Sequence, residues 1–123
     1  LYSSVIHLVS EVTGKIKDGE RSAKVLRAAF PAGTVSGAPK ISATEILSTL
    51  EKNKRNFYAG AVGYIGNKNN LDFCIAIRCA LKQGDVWTLQ AGGGIVNASN
   101  AEREYTETCE KLARFSRART TEC

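Results

Sequence analysis

Apolar residues change their spacing several times along this chain, and each change marks an element. From Val5 to Val12 they alternate, with Val5, His7 and Val9 on one face and Ile6, Leu8 and Val12 on the other, which predicts a strand. Thr13–Glu20 (TGKIKDGE) is polar with two glycines and reads as a turn. Ala23, Leu26 and Phe30 then recur at helical spacing, predicting a helix over Arg21–Phe30. A second helix is expected from Pro39 to about Lys52, where Ala43, Ile46, Leu47 and Leu50 follow i, i+3, i+4, i+7.

Beyond Lys52 the period becomes alternating. Tyr58–Gly66 is glycine-rich and strand-like, with Tyr58 and Tyr64 on one face, and Asn67–Asn70 is a hairpin connection. Leu71–Leu81 alternates throughout. Leu71, Phe73, Ile75, Ile77, Cys79 and Leu81 face one way, and Asp72, Cys74, Ala76, Arg78 and Ala80 the other. After a turn at Gln83-Gly84-Asp85 a third strand, Val86–Ala91, runs into three glycines, and a closing helix spans about Asn100–Ala118. Short turns between three strands imply an antiparallel meander. With helices before and after it, the fold class is α/β or α+β, with helices packed on a sheet.

Composition narrows the class further. The chain has 123 residues, 43% hydrophobic and 24% charged, the profile of one ordinary globular domain. No apolar run is long enough to span a bilayer, and no secretion signal is visible. The chain starts inside an alternating apolar run without an initiator methionine, so we expect a piece of a longer polypeptide. The net charge of +5 suits an anionic partner. Basic residues cluster only at Arg114, Arg117 and Arg119, where they suit a solvated helix C-terminus. No nucleic-acid motif accompanies them. Cys74, Cys79, Cys109 and Cys123 form no CxxC pair, and a chain with this apolar content needs no staples, so reduced thiols are expected.

Four features carry candidate chemistry. FPAGTVSGAPK, Phe30–Lys40, packs two glycines, two prolines and two hydroxyl residues into eleven positions. It reads either as the turn that starts the second helix or as a loop whose N–H groups meet an anion. It is not a P-loop, because the GK[ST] order is absent. AGGGIV, Ala91–Val96, is either a flexible turn or bare backbone that binds a carboxylate. Glu104, Glu107 and Lys111 share one face of the last helix, as a surface ion pair or as carboxylates for Mg²⁺. Arg78, on a strand that looks buried, wants an anionic partner, either Asp72 or a ligand carboxylate. His7, set between valines, suits a structural role, and Tyr58 and Tyr64 place hydroxyls among glycines where a ligand is within reach.

VIHLVSEVTGKIKDG, FPAGTVSGAPK, YAGAVGYIG, DFCIAIR, LQAGGGIV and the closing ExxExxxK occur here in the order and spacing of the chorismate-binding enzymes, and the chain resembles that family over nearly its whole length. The resemblance implies an α/β sandwich of two sheets with helices outside. Residues 1–123 would be the C-terminal portion of a single catalytic domain. It implies a lyase reaction that needs Mg²⁺: ammonia adds to chorismate as the C4 hydroxyl leaves, and pyruvate is then eliminated. The ammonia would come from a glutamine amidotransferase partner, in bacterial cytoplasm or plastid stroma, with no nucleic acid or membrane involved. By the same resemblance His7 serves the elimination step and Thr34 lies near the substrate. Tyr58, Arg78, Gly92, Gly93 and Gly94 bind chorismate, with Gly93 at a position where the family carries alanine or glycine. Glu107 is a Mg²⁺ ligand, with Glu104 and Lys111 lining the same site. Ala38-Pro39-Lys40 stands where isochorismate- and salicylate-forming relatives carry Pro-Arg. AGTVSGAPK is nearer the anthranilate-forming branch, in tryptophan synthesis, than the folate-pathway branch. The segment alone is expected to bind chorismate weakly without turning it over.

Overall fold

The computed structural model describes residues 9–118. In chain order it contains α1 (Ser22–Ala29), α2 (Gly33–Ser36), α3 (Lys40–Leu50), β1 (Ala61–Ile65), β2 (Leu71–Ile75), β3 (Ala80–Gln83), β4 (Val86–Leu89) and α4 (Ala101–Ala118). This mixture of helices and antiparallel strands is the expected α/β class. The strand expected over Val5–Val12 lies largely outside the described residues, and Val9–Val12 are in no strand. Arg119 and Cys123 are also outside them, whereas Cys74, Cys79 and Cys109 are free thiols. No helix among the described residues is long and apolar enough to cross a membrane.

The anticipated three-stranded meander is two separate hairpins, β1–β2 and β3–β4. Alternation held from Leu71 to Ile75, where Leu71, Phe73 and Ile75 are half-buried and Asp72 and Cys74 exposed. The strand then stops. Ala76 still pairs with the preceding turn, donating to the Gly60 carbonyl at 2.8 Å and accepting from the Ala59 N–H at 2.9 Å. The Ile77 N–H folds back onto the Ile75 carbonyl at 2.8 Å, and Arg78 takes φ = 54°. A left-handed residue cannot continue a strand, so Ala80–Gln83 sets off separately and pairs with Val86–Leu89. Gly84, at φ = 58°, supplies the positive φ that their tight two-residue turn requires.

Two ties set the remaining pieces. Ser22, 5% exposed at the start of α1, donates to the carbonyl of Asn69 at 2.8 Å and so binds that helix to the β1–β2 turn. Inside FPAGTVSGAPK the chain forms the one-turn helix α2, which no periodicity announces. Gly37 follows it at φ = 93°, where a methyl group would lie 2.8 Å from Cβ of Ala43. Lys40 then turns back, its Nζ 2.7 Å from the Ala32 carbonyl, 2.6 Å from that of Gly33 and 2.8 Å from Oγ of Ser36.

Little of this surface is covered. Among the described residues Ala76, at 4% exposure, is the one fully buried apolar side chain. Of the α3 stripe, Ala43 and Leu47 are half-buried, but Ile46 and Leu50 are exposed, as are Val62, Tyr64 and Ile65 on β1 and Val86, Trp87 and Leu89 on β4.

Among the glycines, the tightest approach is at Gly63, opposite Phe73. A Cβ there would lie in contact with the Asp72 carbonyl oxygen and 2.7 Å from both Cα and Cγ of Phe73. Because two of these neighbours are backbone, the strands themselves must separate. Gly63→Ala is therefore expected to cost about 3 kcal/mol, the upper end for overpacking, read as a lowered midpoint in chemical denaturation.

Candidate functional site

The short helix α2 presents Thr34 and Val35 to a cleft of about 330 Å³. Consecutive turns bring in the second wall: the Tyr58 N–H donates to the Arg55 carbonyl at 2.9 Å and the Gly60 N–H to that of Phe57 at 3.0 Å. The pairing of Ala59 and Gly60 with Ala76 then lays this turn beside the Ala76–Cys79 break, so Tyr58 and Arg78 line one space. Tyr58 is thus in the turn before β1, not on a strand face shared with Tyr64. Arg78 is likewise exposed in a break, where a buried strand position was expected.

The glycines form the third wall. They follow β4 as irregular backbone, and the chain turns again at Val96–Ser99, where Oγ of Ser99 accepts the Val96 N–H at 3.1 Å. Asn100 caps the last helix, its Oδ1 accepting the Arg103 N–H at 3.1 Å, and Glu102 and Glu104 complement the helix dipole in the first turn. This turn folds α4 back along the glycines. Lys111 Nζ donates to the Gly92 carbonyl at 3.0 Å and pairs with Oε1 of Glu107 at 2.7 Å. A methyl group on Gly93 would stand 3.2 Å from Oε2 of Glu104 and 4.0 Å from Nζ of Lys111, and one on Gly92 would stand 3.5 Å from the Tyr58 hydroxyl.

Thr34, Tyr58, Arg78, Gly92, Gly93, Gly94 and Lys111 therefore line one cleft. Glu104 touches its glycine wall, and Glu107 reaches it through Lys111. His7 lies outside the described residues. Among the described residues, the N–H groups of Gly92, Gly93 and Gly94 donate to nothing, and Arg78 has neither hydrogen bond nor ion pair; Asp72 is not its partner. A guanidinium without a partner, an ammonium, and glycines whose N–H groups lack acceptors among the described residues line one space, a composition suited to an anion.

Sequence reasoning missed Glu51, Arg55, Ile77, Gln90 and Phe115, which also line the cleft. Glu51 and Arg55 are four residues apart, a spacing that signals a helical ion pair but not its place in a site. The hydrogen bond from Arg55 holds the Glu51 carboxyl below the usual range against the opposing effect of burial, and the same bond raises Arg55.

No group of three or more potential metal-ligating side chains occurs among the described residues. Glu104 and Glu107 stand a turn apart on one helix face. Mg²⁺ keeps several waters and takes few protein carboxylates, sharing the rest of its shell with substrate oxygens, so this donor set fits it.

The profile of the chorismate binding enzyme family matches residues 1–117. The chain belongs to that family. It is 55% identical over 117 residues to anthranilate synthase component 1 of Spirochaeta aurantia, which covers 95% of this chain and 24% of the relative. The protein of the same name from Methanothermobacter marburgensis is 52% identical over 113 residues, 92% of this chain and 24% of the relative. That of Cereibacter sphaeroides is 48% identical over 95% of this chain and 23% of its own length. The chain thus spans about a quarter of the length of these curated relatives.

Lys111 lowers the Glu107 carboxyl from its ordinary range, first by its hydrogen bond and then by its charge. A depressed folded value means that the pair contributes at pH above the unfolded glutamate range and is lost as pH falls through the folded one. A carboxyl-carbon NMR titration is expected to place Glu107 below the ordinary glutamate range. Lys111→Met should return it upward.

Proposed function

We propose that this chain is the part of an anthranilate synthase large subunit that carries the carboxylate-binding half of the chorismate site. The observation that carries the reading is that Arg78, Lys111 and three glycines whose N–H groups have no acceptor among the described residues line one cleft. Family membership, and relatives that bear this name at 47–55% identity, support it.

Chorismate is a dianion, and a cleft of about 330 Å³ is at the small end of ligand sites. Arg78 makes a charge-assisted, forked contact with one carboxylate, and the Gly92–Gly94 backbone receives the other oxygens without a side chain in the way. The Tyr58 hydroxyl and Thr34 flank the ring and orient it. Glu104 and Glu107 would hold Mg²⁺, which would supply positive charge to offset that of the substrate and of the reaction. Lys111 would give up Glu107 readily, because an ion pair in water is weak.

In the proposed reaction ammonia forms a bond to C2 of the ring, and the C4 hydroxyl leaves with a proton as water. The enolpyruvyl group then departs as pyruvate, the hydrogen at C2 is lost, and the ring becomes aromatic as anthranilate. His7 serves that second step. The name of the relatives, component 1, supports a second subunit, and we assign it the role of a glutamine amidotransferase that delivers the ammonia. The remaining contacts and the first metal ligand come from the rest of a longer polypeptide.

The test is a product assay on the full-length polypeptide with chorismate, ammonia and Mg²⁺. Anthranilate is the expected product; aminodeoxychorismate would move the chain to the folate branch. Loss of one charged hydrogen bond costs about 1.5–3 kcal/mol, so Arg78→Ala is expected to raise KM about tenfold to a hundredfold. Glu107→Ala is expected to abolish Mg²⁺-dependent turnover. Unchanged kinetics in both variants would remove this cleft from the reaction.

A further inference from the structure

Arg55 lines the same cleft as Arg78 and Lys111, yet its donors are occupied. Its Nε lies 3.0 and 2.8 Å from Oε1 and Oε2 of Glu51, and Nη2 also meets Oε1. Nη1 donates to the Val35 carbonyl at 3.2 Å. The guanidinium carbon stands 5.8 Å from the centre of the Tyr58 ring, within range of a cation–π contact. Three pieces of the cleft converge on this planar group: the residue that ends α3, the short helix α2 and the turn before β1. Two of them carry residues that face the ligand space, Thr34 beside Val35 and Tyr58 beside Gly92.

We propose that the Glu51–Arg55 pair is a positioning device that fixes Tyr58 and Thr34 relative to each other, and that Arg55 does not itself bind the substrate anion. A guanidinium holds its donors in a rigid plane, so contacts made on different edges set a fixed geometry, which a flexible ammonium cannot do. Both side chains are partly shielded, Arg55 at 24% and Glu51 at 34% exposure, which strengthens the pair relative to one in open water. A guanidinium engaged on both edges by Glu51 and Val35 would have to break those bonds before forking onto a ligand carboxylate. Arg78 has no such partner among the described residues and is the guanidinium left to do so.

The positioning itself rests on geometry alone; its consequence for ligand affinity rests on the chorismate reading above. The test uses the full-length polypeptide, with Glu51→Gln as the near-isosteric variant and Arg55→Lys as the one that keeps charge without the fork. In the first arm 3-fluorotyrosine replaces Tyr58, and the ligand-free protein is observed by fluorine NMR. Both variants are expected to shift or broaden the resonance, and the double variant to match Arg55→Lys alone, as residues acting as a unit do. A resonance indifferent to Glu51→Gln overturns the proposal. In the second arm chorismate is titrated. Coupled neighbours of this kind are expected to lose affinity by about tenfold, in Arg55→Lys as in Arg55→Ala. If lysine retains the affinity that alanine loses, Arg55 is an anion-binding cation and the proposal fails. If the parent binds no chorismate, the functional reading falls and the fluorine arm still decides the positioning.

Discussion

Two walls of the cleft, the loop around α2 and the glycine run, are backbone made largely from small residues, which offers little to pack against. It is held instead by cations bonded to its carbonyls. Lys40 gathers the carbonyls of Ala32 and Gly33 and so closes the loop around α2. Arg55 takes the Val35 carbonyl, one residue past Thr34. Lys111 reaches across nineteen residues to the Gly92 carbonyl and fixes α4 along the glycines. Carbonyls left bare at the ends of short elements need donors, and a charged donor makes the stronger bond. Of the glycine run, the Gly92 carbonyl takes the Lys111 ammonium, and the N–H groups of Gly92, Gly93 and Gly94 have no acceptor among the described residues.

The same scaffold is poor in buried apolar surface. Ala76 alone is fully buried among the described apolar residues, and the outward side chains of β1 and β4 include Val62, Tyr64, Trp87 and Leu89. Large apolar faces of this kind mark surfaces that other protein covers. The relatives are far longer than the matched segment, and the family resemblance implies a two-sheet sandwich. The proposed place of this chain in a longer polypeptide would let other parts of that polypeptide cover these faces. Within this segment the cleft is held by short polar ties rather than by buried apolar surface.

Much of the element order was legible from periodicity because helices and hairpins are local. α1, α3 and α4 and the β1–β2 hairpin fall within a few residues of their expected positions. What failed were decisions that depend on distant residues. Leu71–Leu81 reads as one strand because nothing in its alternation signals a stop. The one-turn helix α2 is too short to have a period. Arg55 falls between the second helix and the first strand in no motif, and only the folded chain shows it between α2 and Tyr58. The site was legible in a different way. From residue types alone, the glycine run, the loop before α3 and the last helix each had a plain structural alternative. The family resemblance selected among them, and the fold supplies a common space for all but Glu104, Glu107 and His7. The two glutamates stand at its edge, and His7 lies outside the described residues.

The failed strand is itself informative. A continuous Leu71–Leu81 would keep Arg78 on the face shared with Asp72, Cys74 and Ala76, of which Asp72 and Cys74 are exposed and Ala76 is buried. The chain breaks instead, with a hydrogen-bonded reversal at Ile75–Ile77 and a left-handed conformation at Arg78 that a non-glycine residue adopts at a cost on the order of 1 kcal/mol. The break carries Arg78 to the exposed side, opposite the glycines, as β3 starts off in its own hairpin. One irregularity thus ends a strand, divides one sheet into two hairpins and delivers the only arginine in the cleft that has no protein partner among the described residues.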